Sequence, residues 1–343
     1  MSATISEHFD LAKMRDLRWK AHPIICAGAV LPTGSILLAL SHVIKQGHRQ
    51  RSSLALWAHP RTGKSSCIEA LELIVPKQFP GAGILVHEAK RDTVVAEGSF
   101  IGDILLAMGY EAKLKRGLPE RRDQLRRALF ALGAGSSQLF LVIDEAQNLA
   151  AIQLEWLKEY INWLIKRRYK VTVILFGQQE LTCKRDELIE VGRTDLHARF
   201  TENLMEFEGV TCGEDLLPLL KACDSGSEFP PGSGCSYTNF LWPEAFGAGF
   251  RLESQLPAIA CAFELDSGAK RIDHGVIMEY VARALAEFAE TTRSRDSAAF
   301  SPEIGDWMHA VELSGYRERA PFVYRRYTGP VPTSRSRKAD QYA

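Results

Sequence analysis

No stretch of this chain is long and apolar enough to cross a bilayer. The most apolar early run, Ile24 to Leu40, is broken by Pro32-Thr33-Gly34, whereas a spanning helix needs about 20 predominantly apolar residues. Nothing before Pro23 has the apolar centre of a secretory signal, so the expectation is a cytoplasmic protein with no membrane partner. Cysteine pairs are missing too: Cys26, Cys67, Cys183, Cys212, Cys223, Cys235 and Cys261 are scattered, odd in number and nowhere in C-x-x-C spacing. That argues against a zinc knuckle or a disulfide scaffold and for a reduced compartment. Charge of one sign is not in excess, with 42 Lys and Arg against 42 Asp and Glu. Any nucleic-acid surface must therefore come from local clustering. No repeat of 20 to 50 residues appears.

What remains is a chain of 343 residues, 46% hydrophobic, long enough to bury one large core or two moderate ones. Its most informative stretch runs from Leu54 to Ser66. Leu54-Ala55-Leu56-Trp57 reads as an apolar strand, and Ala58, His59, Pro60, Arg61, Thr62, Gly63, Lys64, Ser65 and Ser66 read as a phosphate-binding loop opening a helix. From Gly63 onward the G-x-x-x-x-G-K-[ST] pattern is met. Gly63 lets the backbone approach a polyphosphate, Lys64 neutralises β/γ oxygens, and Ser65 reaches Mg²⁺. Ala58 stands where the pattern has its first glycine. Because the backbone N–H groups and the helix N-terminus do most of the holding, that change leaves binding intact and puts the turnover rate in question.

Gln138-Leu139-Phe140-Leu141-Val142-Ile143 is an apolar strand ending in Asp144-Glu145, the arrangement of a Walker B site. Asp144 would join Ser65 in holding Mg²⁺, and Glu145 would polarise the attacking water. Gln178, just past the strand Val171 to Gly177, is placed to sense the γ-phosphate. Arg193 and Arg199 follow that strand. Arg199 is preferred as an arginine presented to a neighbouring subunit's γ-phosphate. Arg251, after Gly247-Ala248-Gly249, is a candidate for a second nucleotide contact. The segment 113–127 carries Lys113, Lys115, Arg116, Arg121, Arg122, Arg126 and Arg127 against only Glu120 and Asp123. Such a cluster suits salt-sensitive, sequence-tolerant contact with DNA phosphates, extended by Lys90 and Arg91.

Strands at Leu54 to Trp57, Gly83 to His87, Gln138 to Asp144 and Val171 to Gly177 alternate with helices, including one whose stripe is Leu157, Tyr160, Ile161 and Leu164. Continuous β-branched runs such as Val171 to Phe176 belong in a buried parallel sheet, so the fold class is a doubly wound α/β layer structure. The expected boundaries are 1–50 for an N-terminal arm, 51–212 for the nucleotide core, 213–290 for a small helical lid and 291–343 for an extension with a mobile tail. The lid is read as two helices, Leu252 to Leu265 and His274 to Glu290, joined at Ser267-Gly268, after a loop-rich stretch from Asp224 to Gly249.

Taken together, the loop, Ser99 to Leu149 with Ile143-Asp144-Glu145-Ala146-Gln147-Asn148-Leu149, the segment Phe176-Gly177-Gln178-Gln179-Glu180-Leu181 and the lid from Arg251 to Leu285 resemble AAA+ ATPases of the TnsC/TniB type. These are ATP-dependent regulators of Tn-seven-like and related transposons. The resemblance implies an AAA+ P-loop core with a helical lid, ATP and Mg²⁺ as ligands, and slow, assembly-dependent hydrolysis. It implies rings or filaments of the chain on duplex DNA of arbitrary sequence, linking a target selector of the TniQ/TnsD type to a transposase, with hydrolysis resetting the assembly. Three alternatives stay open: an ExeA-like or initiator-like AAA+ ATPase, a nucleotide-gated module without turnover, and a helicase suggested by Asp144-Glu145-Ala146-Gln147. The last has no second motor domain with a downstream Q-x-x-G-R-x-G-R to support it.

Overall fold

The computed structural model describes residues 15–49, 51–91, 93–265 and 275–318. Five parallel strands form its sheet: β1 (Arg51–Trp57), β2 (Gly83–Glu88), β3 (Gln138–Asp144), β4 (Lys170–Gly177) and β5 (Leu204–Glu206), in the spatial order β2-β3-β4-β1-β5. The chain leaves β1 for the far edge, returns strand by strand to β4, then passes β1 to add β5. Ligand crevices in open α/β sheets lie outside the carboxyl ends of the strands, where the order reverses. Register brings three of those ends together, since Trp57 pairs with Gly177, Leu175 with Ile143, and Asp144 with Glu88.

Both faces of the sheet are covered, which is why the strands read as continuous apolar runs. Leu139, Leu141, Ile143, Val171, Val173 and Leu175 point to one face, with α3 (Glu97–Ala107), α4 (Leu118–Leu132) and α5 (Ala151–Ile165). The expected stripe on α5 is buried there, at Leu157, Tyr160, Ile161 and Leu164. Phe140, Val142, Ile174 and Phe176 alternate to the opposite face, as a period of two requires, and meet α1 (Gly34–Gly47) and α2 (Lys64–Gln78). The helix α6 (Glu180–Glu190) follows β4.

Packing corrects the expected boundaries at both ends of the core. Residues 1–50 were expected to be an accessory arm, yet Ile36, Ala39, Leu40 and Val43 of α1 sit in the same apolar cluster as Leu54, Leu56 and Phe140. At Gly47 a Cβ would come within 2.6 Å of the Phe79 ring and 2.8 Å of Phe140, so the helix passes too close to the sheet for any side chain there. The helical lid likewise continues past residue 290. Its core joins Trp242, Leu252, Ile259 and Phe263 to Tyr280, Leu285 and Phe288 of α8 (Met278–Thr292) and to Trp307, Ala310 and Val311 of α9 (Ile304–Leu313). Phe288 and Trp307 stack with centroids 3.7 Å apart.

The first expected lid helix is split into a 3-10 turn, Leu252–Gln255, and α7, Leu256–Ala262, because Pro257 has no N–H to continue the turn and suits a helix start. The stretch 224–249 holds two short helices, Tyr237–Leu241 and Pro243–Gly247. The Ser267-Gly268 turn, His274 and residues 319–343 of the expected tail lie outside the described residues. Trp19 and Ile24 belong to the lid cluster. Arg15 pairs with Asp296 at 3.2 Å, and Trp19 Nε1 donates to Glu290 at 2.6 Å. The segment before α1 thus straps the lid to the core. Among the described residues no helix is long and apolar enough to cross a membrane.

Candidate nucleotide site

The loop after β1 starts with Ala58, whose N–H donates to the Gly177 carbonyl at 3.0 Å, anchoring it beside the end of β4. Thr62 Oγ1 then donates to the His59 carbonyl at 2.6 Å, tightening the turn. Gly63 has φ of 110°, a left-handed value that a Cβ disfavours, and from it α2 begins at Lys64. The first-turn N–H groups of α2 and its positive end therefore face the same space as Lys64 and Ser65, the condition for holding phosphate. Lys64 is buried, and burial lowers its pKa while Glu145, Asp144 and Glu180 act the other way. A polyanion entering here would meet a cation with little competing solvation.

Asp144 and Glu145 sit at the end of β3, the strand next to β4. Burial raises the Asp144 pKa, opposed by the Glu145 N–H, which donates to its carboxylate at 2.8 Å. Glu145 itself has φ of 50°, an unfavourable value for a residue with a Cβ. That turn aims its carboxylate at two amides, with Gln147 Nε2 donating to Oε2 at 2.5 Å and Gln178 Nε2 to the same oxygen at 3.1 Å. Gln147 Oε1 in turn accepts from the Gln178 backbone N–H at 3.1 Å. Gln178 is thus joined to Glu145, and Gln147, to which the sequence assigned no role of its own, completes the link.

These groups line a cleft of about 580 Å³ that reaches from Pro60–Ser66, Asp144, Glu145 and Gln178 to the lid residues Met278, Glu279, Ala282 and Arg283. Its apolar lining comes largely from the strap, with Pro23, Ile24, Ala27, Ala29 and Leu31, joined by Ile36 of α1 and by Leu219 and Leu285. A charged end and an apolar end in one cleft match a nucleotide's phosphates and base. The oxygen donors Ser65 and Asp144 suit a hard cation such as Mg²⁺.

Residues 47–183 match the family model AAA_22, the AAA domain. This segment carries the sequence pattern of an AAA domain. The Aeropyrum pernix ORC2 protein, solved as ADPNP–ADP complexes, aligns with TM-score 0.53 at 11% identity over 85% of this chain and 71% of that one. Two further alignments are with Cdc6p of Pyrobaculum aerophilum (TM-score 0.45, 15% identity, 76% and 62% covered) and with domain III of the Thermotoga maritima replication initiation protein DnaA (0.39, 13%, 84% and 96%). At such identities the ORC2 likeness is one of fold, the AAA+ P-loop NTPase fold with a helical C-terminal region. No curated protein matches the chain.

Several expected site residues lie away from the cleft. Arg251 does not line the cleft: its guanidinium donates to the Phe246 and Phe250 carbonyls at 2.9 and 2.6 Å and lies 3.7 Å over the Phe246 ring. Among the described residues, the lid arginine lining the cleft is Arg283 on α8. A turn of helix spacing from Glu279 was its only trace in the sequence.

The basic segment also divides. Arg122 donates to Glu97 Oε1 at 2.8 Å, Tyr160 donates to the same carboxylate at 3.2 Å, and that carboxylate is buried. Arg126 lies over the Tyr160 and Trp163 rings at 6.0 and 5.9 Å, and Arg121 donates to the Lys115 and Gly98 carbonyls. These three arginines pack α4 against its neighbours and are half-buried, so part of their charge is engaged within the fold. Lys90, Arg91, Lys113, Lys115 and Arg116 are exposed. Arg193 is held by Glu155 at 2.5 Å and Asp195 at 3.2 Å, while Arg199 donates to Asn162 at 3.3 Å and lines no part of its own chain's cleft.

Proposed function

We propose that this chain binds and hydrolyses ATP in the cleft, assembles with copies of itself on duplex DNA, and serves as a transposition regulator of the TnsC/TniB type. The convergence of the α2 N-terminus, Lys64, the Asp144-Glu145 strand end and Arg283 on one cleft carries the ATPase part of this proposal. Lys64 and the loop N–H groups hold the β- and γ-phosphates, and the strap wall takes the base. Ser65 and Asp144 would hold Mg²⁺, which draws charge from the phosphate oxygens when bound. Glu145 accepts a proton from the attacking water, with Gln178 and Gln147 fixing where its carboxylate points. Placement outside its own cleft supports Arg199 as the arginine offered to a neighbour. Lys113, Lys115 and Arg116, with Lys90 and Arg91, take the phosphate backbone of DNA, and a target selector and a transposase bind the assembly.

Sedimentation and electron microscopy with ATP, Mg²⁺ and duplex DNA test this. Assembly is expected only with nucleotide, to be abolished in Lys64→Ala and to persist in Glu145→Gln. An unchanged monomer under all conditions would refute assembly, and normal hydrolysis by Glu145→Gln would remove that residue from the base role. An initiator-like ATPase that loads another complex is the second reading, fitting the fold shared with the ORC2 protein. Transposase and target-selector genes beside this one favour the first reading, and replication genes the second.

A further inference from the structure

At the mouth of the cleft, one carboxylate holds two cations. Arg61 belongs to the phosphate-binding loop, and Glu279 and Arg283 lie one turn apart on α8. Arg61 Nη1 is 3.1 Å from Glu279 Oε2, Arg283 Nη2 donates to Glu279 Oε1, and the Glu279 backbone N–H meets the Arg61 carbonyl at 3.4 Å. All three residues line the cleft. Arg61 is left-handed, with φ of 66°, so the loop is held in a conformation that costs energy at the point where the lid grips it.

We propose that Glu279 determines how the site discriminates between nucleoside tri- and diphosphates. It latches the lid to the loop through Arg61 and Arg283, and a triphosphate must take those cations from it. This proposal rests on reading the cleft as a nucleotide site.

The energetics suit an exchange. Arg61 and Arg283 keep 69% and 35% of their side-chain surface exposed and Glu279 keeps 26%, so each pair is worth little and can be broken. A terminal phosphate brings more charge and three acceptor oxygens, and arginine binds such oxygens in pairs. A diphosphate ends one phosphate earlier, within reach of the loop N–H groups and Lys64, and leaves the latch in place. Every triphosphate therefore binds against the cost of releasing Glu279, and a diphosphate does not.

Equilibrium titration of the full chain with fluorescent ATP and ADP analogues tests this without reference to turnover. Glu279→Gln keeps the length of the side chain and removes its charge. It should tighten ATP binding about 3- to 10-fold, the worth of one or two partly exposed ion pairs, and change ADP binding much less. In an Arg283→Gln background most of that gain should vanish, an outcome that general loosening of the lid would not produce; Arg61→Gln provides the same check if the Arg283 variant folds poorly. An unchanged ATP-to-ADP ratio in Glu279→Gln would overturn the proposal, as would a gain of the same size in both arginine backgrounds. A wild-type chain that binds neither nucleotide would instead overturn the nucleotide site itself, and the latch with it.

Discussion

Lowering the pH from 7 to 5 should destabilise this protein at His22. Its ring is fully buried, stacked on Phe240 at 5.1 Å and edged by Phe229 and Tyr237 at 4.9 Å each. Nδ1 accepts the Ile24 N–H at 3.2 Å, which puts the hydrogen on Nε2, and Nε2 has no partner. Burial pushes the pKa from 6.5 down to about 3. Between those values the unfolded chain takes up a proton that the folded one refuses, so stability falls as pH falls, at about 1.4 kcal/mol per unit. At pH 5 the deficit is roughly 2 kcal/mol. The stacked Phe240 ring would attract an imidazolium, with about 2 kcal/mol as the usual worth of a desolvated cation–π contact, so the two effects are close enough for measurement to rank them.

Urea unfolding from pH 7 to 4.5 reads the difference, with Trp19, Trp242 and Trp307 of the same cluster as fluorophores. The stability difference between His22→Phe and the wild type should shift in the variant's favour by about 2 kcal/mol between pH 7 and 5. Parallel curves would refute the reasoning, showing that the aromatic cage accepts the charged ring. Because Pro23 and Ile24 line the cleft, nucleotide affinity should weaken over the same window in the wild type.

Three more outcomes follow from the contacts. Arg283→Ala should weaken ATP binding measurably, whereas Arg251→Ala should leave affinity unchanged and lower the melting temperature, since its guanidinium serves two carbonyls. Arg122→Ala should destabilise the fold by about 1–3 kcal/mol in chemical denaturation, because it strands the buried Glu97 carboxylate while Tyr160 still donates to it. Lys113→Glu with Lys115→Glu and Arg116→Glu should leave the melting temperature alone and reduce the salt dependence of DNA affinity. An unaltered slope would place the DNA face elsewhere.

Features whose cause is local were legible in the residues alone. The apolar runs of β1, β3 and β4 follow from burial on both sheet faces, and the phosphate loop from the backbone freedom of Gly63 beside Lys64 and Ser65. The acids at the end of β3 follow from strand ends opening onto a crevice, and the order of these parts sufficed for the α/β nucleotide core. Tertiary packing decided the rest, because it concerns residues far apart in the chain. Register between β1, β4 and β3 brings Gln178 and Glu145 within 3.1 Å. The basic run 113–127 has one composition but two destinations, since helical rotation turns Arg122 and Arg126 inward toward Glu97, Tyr160 and Trp163. The sequence singled out Arg251 as the lid cation, and only the way α8 lies across the loop brings Arg283 to the cleft instead. The strap before α1 shows in the sequence only as part of an N-terminal arm. It becomes a wall of the cleft because Trp19 and Ile24 pack into the lid cluster and Ile36 into the core cluster, which lays the segment between them along the cleft.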